Sequence, residues 1–419
     1  MRLLVLTSEY PNRHSTHDTP VVHYFAKEWV RQGHEVVVVH SRSVFPAPFY
    51  PIARAAQSLV KKVFKTDFIP FHRLKAAERG TMDGVDVATM PIFKAFPHLR
   101  FGDGVIRRHA AAIETLCRHK GFVPDLVVCH FLNPQLPLIP EIKRSFPRAK
   151  ASLVIHEDPT IIASLFGART RTLLDSCDFL GFRFAPMRDR FVAEHGDRPG
   201  LFICPSGVPA QYLLEAVPAG KFRSAPLTFC FVGMLIPLKN VDVLLQALHE
   251  AFPTRDFRLR IVGEGFLKPD LEALTASLGL TDCVRFEGRM SRDAVQSVLA
   301  ESDVFVMVSK PEAFGLSYLE AMGKGCVTIG TRGQGIDGII VSGENGYLCE
   351  ARDVADLRAV LSEIAAASYD RRRAMGEAAL RTASGMSDAQ VAADYLATLG
   401  GGATTPDARP TAAVLPSRG

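Results

Sequence analysis

Short runs of apolar, often β-branched residues recur along the chain and alternate with stretches whose apolar positions repeat at helical spacing. In the first half these runs fall at residues 3–7, 35–40, 85–90, 125–130, 152–156 and 201–204, with helical patterns at 21–31 and 105–119 among the intervening segments. In the second half they fall at 227–232, 258–262, 283–286, 304–308 and 326–329, separated by helical patterns at 241–251, 269–278, 292–300 and 315–324. Continuous apolar strands separated by helices predict parallel sheets covered on both faces. Two such series in tandem predict an α/β chain of two Rossmann-like domains, 1–204 and 227–399. The stretch between them, 205–226, holds Pro205, Gly207, Pro209, Pro218, Gly220 and Pro226 and reads as a hinge. Residues 400–419 are rich in Gly, Ala, Thr and Pro and read as a disordered tail. One segment, 44–72, breaks the alternation. It is dense in Phe and Pro and encloses a basic amphipathic run at 52–64, followed by Lys65, so it reads as a lid or a surface-binding patch.

A chain of 419 residues, 47 % apolar and 22 % charged, has the balance of a globular enzyme with material for two large cores. Its eight cysteines stand singly with no C-x-x-C spacing, which argues against a zinc ribbon or redox dithiol and fits a reducing cytosol. The apolar start at residues 3–6 is too short for a signal peptide and reads as a buried strand. No stretch approaches the roughly 20 apolar residues of a membrane span. Charge is uneven. Residues 1–204 carry 28 Lys+Arg against 19 Asp+Glu, a net +9, whereas 205–419 carry 21 against 25, a net −4. The basic half points to an anionic partner: anionic lipid, a phosphate-bearing acceptor or nucleic acid, with a merely solvated basic face as the alternative. Nucleic acid has no recognised module to support it, and no nucleic-acid partner is expected.

The segment with most chemistry is Pro311-Glu312-Ala313-Phe314-Gly315-Leu316-Ser317-Tyr318-Leu319-Glu320-Ala321-Met322, at a predicted strand-to-helix turn. Such a turn presents free backbone N–H groups and the positive end of a helix dipole, which suits a diphosphate. Glycine at 315 lets backbone approach a ligand closely. Glu312 and Glu320, eight residues apart, can accept hydroxyl hydrogen bonds at two points of one elongated ligand; two solvated glutamates on a capped helix are the plainer alternative. The Gly263-x-Gly265 turn lacks the third glycine of a dinucleotide fingerprint, since position 268 is lysine. No D-x-D triplet occurs and the histidines show no ligand spacing, so no catalytic metal is expected.

The Glu312–Glu320 segment resembles the Glu-x7-Glu motif of the retaining, GT-B-fold glycosyltransferases of family 4. Phe231-Val232-Gly233-Met234-Leu235-Ile236-Pro237-Leu238-Lys239 is similar to that family's G-R-L-x-x-x-K segment, Ile261-Val262-Gly263-Glu264-Gly265 to its G-x-G turn, and Gly343-Glu344-Asn345-Gly346-Tyr347-Leu348 to its D-G-x-N-G-x-L. The resemblance implies a GT-B fold, two Rossmann-like domains facing a central cleft, with the last helix able to return to the N-terminal domain. It implies that Glu320 binds the donor's ribose, Glu312 its sugar, and Lys239 its diphosphate, in a pocket including Gly233, Gly263, Glu264, Phe314, Gly315 and Leu316. Position 234 is Met where the family has Arg; Arg289 and Lys324 are candidates to replace that cation. His156 matches a strand-end histidine facing the donor sugar, with His130 lining the same cleft and Asp18 on the acceptor side. Cys204-Pro205-Ser206-Gly207-Val208 resembles the hinge segment P-N-G-V, with Ser for Asn.

The expected activity is therefore transfer of a sugar from a nucleoside-diphosphate sugar to a hydroxyl, with retention and without a cofactor. The resemblance extends to enzymes of bacterial surface polysaccharide biosynthesis, which implies a lipid-linked or oligosaccharide acceptor. A cytoplasmic location follows, at the inner face of the membrane if the basic segment contacts anionic lipid. The alternatives are a sugar-nucleotide-binding partner with weak or lost catalysis, or a GT-B epimerase or phosphorylase.

Overall fold

The first strand, β1 (Arg2–Thr7), is apolar at four successive positions, and Leu3, Leu4, Val5 and Leu6 are fully buried. A strand buried on both faces belongs inside a parallel sheet. In the computed structural model, which describes residues 1–12, 19–51, 73–95, 100–223 and 225–400, β1 lies between β2 and β5. The elements that follow are α1 (Val21–Arg31), β2 (Glu35–Val44), β3 (Glu78–Met82), β4 (Val85–Phe93), α2 (Asp103–His119), β5 (Leu126–His130), α3 (Gln135–Ser145), β6 (Lys150–Ile155), α4 (Ile161–Phe166), α5 (Thr170–Asp175), β7 (Phe179–Phe182), α6 (Ala185–His195) and β8 (Leu201–Ile203). The eight strands form one sheet in the order β3-β4-β2-β1-β5-β6-β7-β8, with only the β3–β4 pair antiparallel.

The second series is β9 (Leu227–Val232), α7 (Val241–Ala251), β10 (Phe257–Val262), α8 (Lys268–Ser277), β11 (Val284–Gly288), α9 (Arg292–Glu301), β12 (Val304–Val306), α10 (Leu316–Gly323), β13 (Val327–Thr331), β14 (Tyr347–Cys349), α11 (Val354–Ala366) and α12 (Tyr369–Ser384). Its six strands are all parallel, in the order β11-β10-β9-β12-β13-β14. The chain is thus α/β with two Rossmann-like sheets, the GT-B arrangement. In each sheet the chain leaves its first strand in one direction and later returns to that strand's other side. The resulting switch points, between β1 and β5 and between β9 and β12, are where ligands bind in open α/β sheets, at the carboxyl ends of the strands.

Among the described residues the chain divides into two compact units. Unit 1 holds Met1–Arg183, Met187–Gly207 and Asp388–Gly400, and unit 2 holds Phe184–Pro186 and Val208–Ser387. Residues 208–226, read from sequence as hinge, pack within unit 2. Tyr212, Val217 and Phe222 join its core, and buried Asp303 accepts hydrogen bonds from Phe222 N (2.8 Å) and Thr228 N (3.0 Å). The final helix, α13 (Asp388–Leu399), packs in unit 1. There Ala392 O accepts from Trp29 Nε1 (2.9 Å), and the Tyr395 ring meets Phe25 and Trp29.

Three strands escape the sequence pattern for physical reasons. β3 is a largely exposed, polar edge strand held by its hairpin partner, while β7 and β14 are short, at four and three residues, and each is completed by pairing within the sheet. All eight cysteines are buried and free. Among the described residues no helix is long and apolar enough to cross a membrane, and no group of three His, Cys, Asp or Glu side chains could hold a metal.

Candidate functional site

At the carboxyl edge of the unit 2 sheet, the turns after β9 and β10 are zipped together. Gly233 N donates to Val262 O (3.0 Å), Leu235 N to Glu264 O (3.0 Å), and Gly263 N to Gly288 O (2.9 Å). Gly263 has φ +143°, and a Cβ there would sit 1.8 Å from Gly233 O. The glycine is demanded by this approach of two backbones. The Glu264 side chain is half exposed and pairs with Lys268 (3.2 Å).

On the other side of the switch point the turns after β9 and β12 are joined directly. Asn240, in the left-handed region at φ +49°, donates through Nδ2 to Val308 O (2.7 Å), and Lys310 N donates to Leu238 O (2.9 Å). These bonds bring Lys239 against Glu312, with Nζ–Oε2 at 2.5 Å and side chains 17 % and 11 % exposed. Ser309 Oγ donates to the same carboxylate oxygen (2.9 Å). The Glu312 backbone is pinned as well, its N–H donating to Gln334 Oε1 (2.9 Å) and its carbonyl accepting from Gly335 N (3.0 Å). Lys239 and Glu312, 73 residues apart, thus form one largely shielded ion pair. An ammonium has three donors, so Lys239 keeps capacity for a second anion beside the carboxylate.

Gly315 caps α10 at φ +78°, and a Cβ there would lie 2.5 Å from the Tyr318 ring. The sequence reading gave this glycine to ligand approach. The structure adds two other demands: a left-handed turn, and room for the buried Tyr318, whose hydroxyl donates to Met307 O. The opening amides of α10 have no intrahelical acceptor. Phe314 is 3 % exposed with its side chain in the core cluster, so it can offer a ligand only backbone, and Leu316 opens the helix behind it.

Glu320, one turn into α10, is buried, and Arg292 Nη2 lies 3.0 Å from its Oε1. Burial raises its carboxyl above the usual value, opposed by the charge of Arg292. Sequence reading missed Arg292, although a cation on the first turn of a helix runs against the helix dipole and is itself a signal. Lys324 is buried beneath the same carboxylate, its pKa lowered by burial and raised in turn by Glu320. Met234 is 44 % exposed on the turn after β9. Arg289 directly follows β11.

In unit 1, His130 ends β5 and His156 follows β6, with His130 Nδ1 and His156 Nε2 at 3.0 Å. The Phe131 ring stacks on His156 at 4.0 Å. Burial, then the charge of Arg183, pushes both imidazoles down, His130 to about 3, so both are neutral at pH 7. Arg183 is 1 % exposed; its Nη1 donates to Cys204 O (2.5 Å) and its Nη2 to Ser206 Oγ. Glu157 accepts from Leu132 N (3.1 Å) and His156 N (3.2 Å), fixing the turns that carry both histidines. Arg183 was invisible as a site residue because only the sheet brings it to the histidines, and Glu157, next to His156 in sequence, gains its role from the tertiary bond to Leu132 N. Asp18 and the basic residues Lys61, Lys62 and Lys65 lie outside the described residues.

Residues 215–382 match the family model described as Glycosyl transferases group 1. Among curated proteins, an N-acetyl-alpha-D-glucosaminyl L-malate synthase of Bacillus anthracis is 39 % identical over 116 residues, 28 % of this chain and 30 % of that protein. A D-inositol 3-phosphate glycosyltransferase of Nocardia farcinica is 30 % identical over 214 residues, 48 % and 47 % of the two chains. The chain thus spans less than half the length of the curated relatives it matches. Two solved structures cover nearly the whole fold. Anabaena Alr3699/HepE in complex with UDP and glucose has a TM-score of 0.64 at 15 % identity, covering 96 % of this chain and 99 % of that one. The sucrose-phosphate synthase of Thermosynechococcus elongatus has a TM-score of 0.66 at 14 % identity, covering 95 % and 98 %. The stretch that carries the Lys239–Glu312 pair and buried Glu320 therefore lies within the match to the glycosyl transferases group 1 model, in a chain of GT-B fold.

Proposed function

We propose that this chain transfers a sugar from a nucleoside-diphosphate sugar to an acceptor hydroxyl, with the donor held in unit 2. The observation that carries this reading is the shielded Lys239–Glu312 pair at the β9–β12 switch point, in the turn that leads into the helix carrying buried Glu320. Glu320 accepts the ribose hydroxyls, and Arg292 keeps it ionised. The diphosphate lies against the opening amides of α10 and Lys239, which stabilise the charge that grows on the leaving phosphate. Glu312 accepts hydroxyls of the sugar while bridging to Lys239. No cofactor enters the step. The absence of a second carboxylate across the anomeric carbon in the sequence pattern favours transfer over hydrolysis, and family resemblance favours retention.

The acceptor belongs to the same proposal. The two relatives above are named for acceptors that are small anions, malate and inositol phosphate, which favours a small acidic acceptor over the lipid-linked or oligosaccharide one expected from sequence. Surface polysaccharide synthesis, a cytoplasmic location and contact of residues 44–72 with anionic membrane stand as a second reading, supported by the +9 charge of residues 1–204.

Turnover of a nucleotide-sugar panel, with products identified by mass spectrometry, tests the activity. Glu312→Ala and Lys239→Ala are expected to lower transfer by about 10²–10³, with Glu312→Ala leaving UDP affinity within a few-fold. Tight UDP binding without transfer to any acceptor would favour the non-catalytic partner reading; unchanged transfer in Lys239→Ala would remove that lysine from the site.

A further inference from the structure

Unit 1 contains a cavity of about 280 Å³ lined by Arg42, Arg73, Leu74, Lys75, Ala76, Ala77 and Glu78. Among the described residues three cations and one carboxylate line it, a net positive set. Arg42 lies near the end of β2 and is only 9 % exposed. Its Nη1 donates to Asn12 Oδ1 (3.2 Å), and its Nη2 is buried with no hydrogen-bond partner among the protein atoms. A buried guanidinium group without an acceptor is costly, and guanidinium geometry fits two-oxygen anions. His40, on the same face of β2, adds no charge at neutral pH, because burial and Arg42 push its imidazole down to about 4. The cavity is near the lower end of the size range of small-molecule sites, room for a few heavy atoms beside the charged group.

We propose that this cavity is an anion subsite that binds the phosphate or carboxylate group of the acceptor, with Arg42 as the buried anchor and Arg73 and Lys75 at its mouth. Naming the ligand as the acceptor rests on the proposed glycosyl transfer; the anion subsite itself does not. It gives the basic N-terminal half a defined ligand chemistry in place of a diffuse charged face.

The test is a calorimetric titration of the full chain with inorganic phosphate, repeated with glycerol phosphate, in the presence of saturating UDP to occupy unit 2. Saturable binding that falls at least tenfold in Arg42→Gln and several-fold in the Arg73→Gln/Lys75→Gln double variant, with UDP affinity unchanged, supports the subsite. The double variant alters exposed positions and so stays informative if Arg42→Gln unfolds. Equal phosphate affinity in wild type and the variants, or none in wild type, overturns it. Loss of UDP binding alongside intact Arg42-dependent phosphate binding would sink the donor reading and leave the subsite standing. Co-sedimentation with anionic vesicles separates the sources: Arg42-dependent pelleting identifies a lipid headgroup, and Arg42-dependent glycerol phosphate binding without pelleting a soluble anion.

Discussion

If Glu320 holds the ribose as a carboxylate, nucleotide affinity must fall when it takes up a proton, and Arg292 sets where that happens. The perturbation is Arg292→Gln. The guanidinium nitrogen lies 3.0 Å from Oε1, with side chains 42 % and 7 % exposed. At roughly 4 Å between charge centres and an effective dielectric constant near 20, the attraction is about 4 kcal/mol. The exposure of Arg292 to water and salt discounts this to about 1–2 kcal/mol. Burial already holds the Glu320 carboxyl above the usual carboxylate range, and Arg292 works against that rise. The sign follows: binding requires the ionised form, so affinity is full above the folded pKa and is lost as pH falls through it. Removing Arg292 moves that loss to higher pH. Calorimetric titration with UDP from pH 8 to 5 measures it, with Glu320→Gln as reference because the nucleotide phosphate itself titrates near pH 6. Relative to that reference, wild type should show an extra acid-side weakening, shifted to higher pH in Arg292→Gln. Parallel curves for all three proteins would refute the role of Glu320.

Two further outcomes follow from the geometry. Gly315→Ala places a methyl 2.5 Å from the Tyr318 ring at φ +78°, so it should cost about 2–3 kcal/mol of unit 2 stability and impair UDP binding, whereas Gly220→Ala, with nothing within 4 Å, should change the melting temperature little. In unit 1, burial lowers His40 and His109 from 6.5 to about 4; these depressed values give stability that is full above pH 6.5 and lost as pH falls toward 4, about 2 kcal/mol for each at pH 5. Urea melts of wild type and His109→Gln at pH 7 and pH 5 check it, and an equal pH dependence in the two proteins would discard His109 as a contributor.

The sequence by itself determined the local elements and their class. Runs such as Leu3, Leu4, Val5 and Leu6 are apolar because both sheet faces are covered, and a pattern with that cause can be read without a structure. Glu312, Glu320 and Lys239 were also readable, because the turns that present them have a recognisable spacing. What only the tertiary structure decided is which of these meet. Lys239 reaches Glu312 through Asn240 and Lys310, whose bonds exist only once β9 and β12 are neighbours. Arg292 reaches Glu320 because α9 packs beside α10, and Gln334 becomes the clamp on the Glu312 backbone from the turn after β13. In unit 1, Arg183 reaches the histidines from the end of β7, Glu157 ties the turn after β6 to Leu132 after β5, and Arg42 meets Arg73 and Lys75 across a cavity. Hydrophobic periodicity is a local consequence of burial and survives in one dimension. Charge pairing is a short-range interaction between residues far apart in the chain, so it exists only when the sheet order has brought them within a few ångströms.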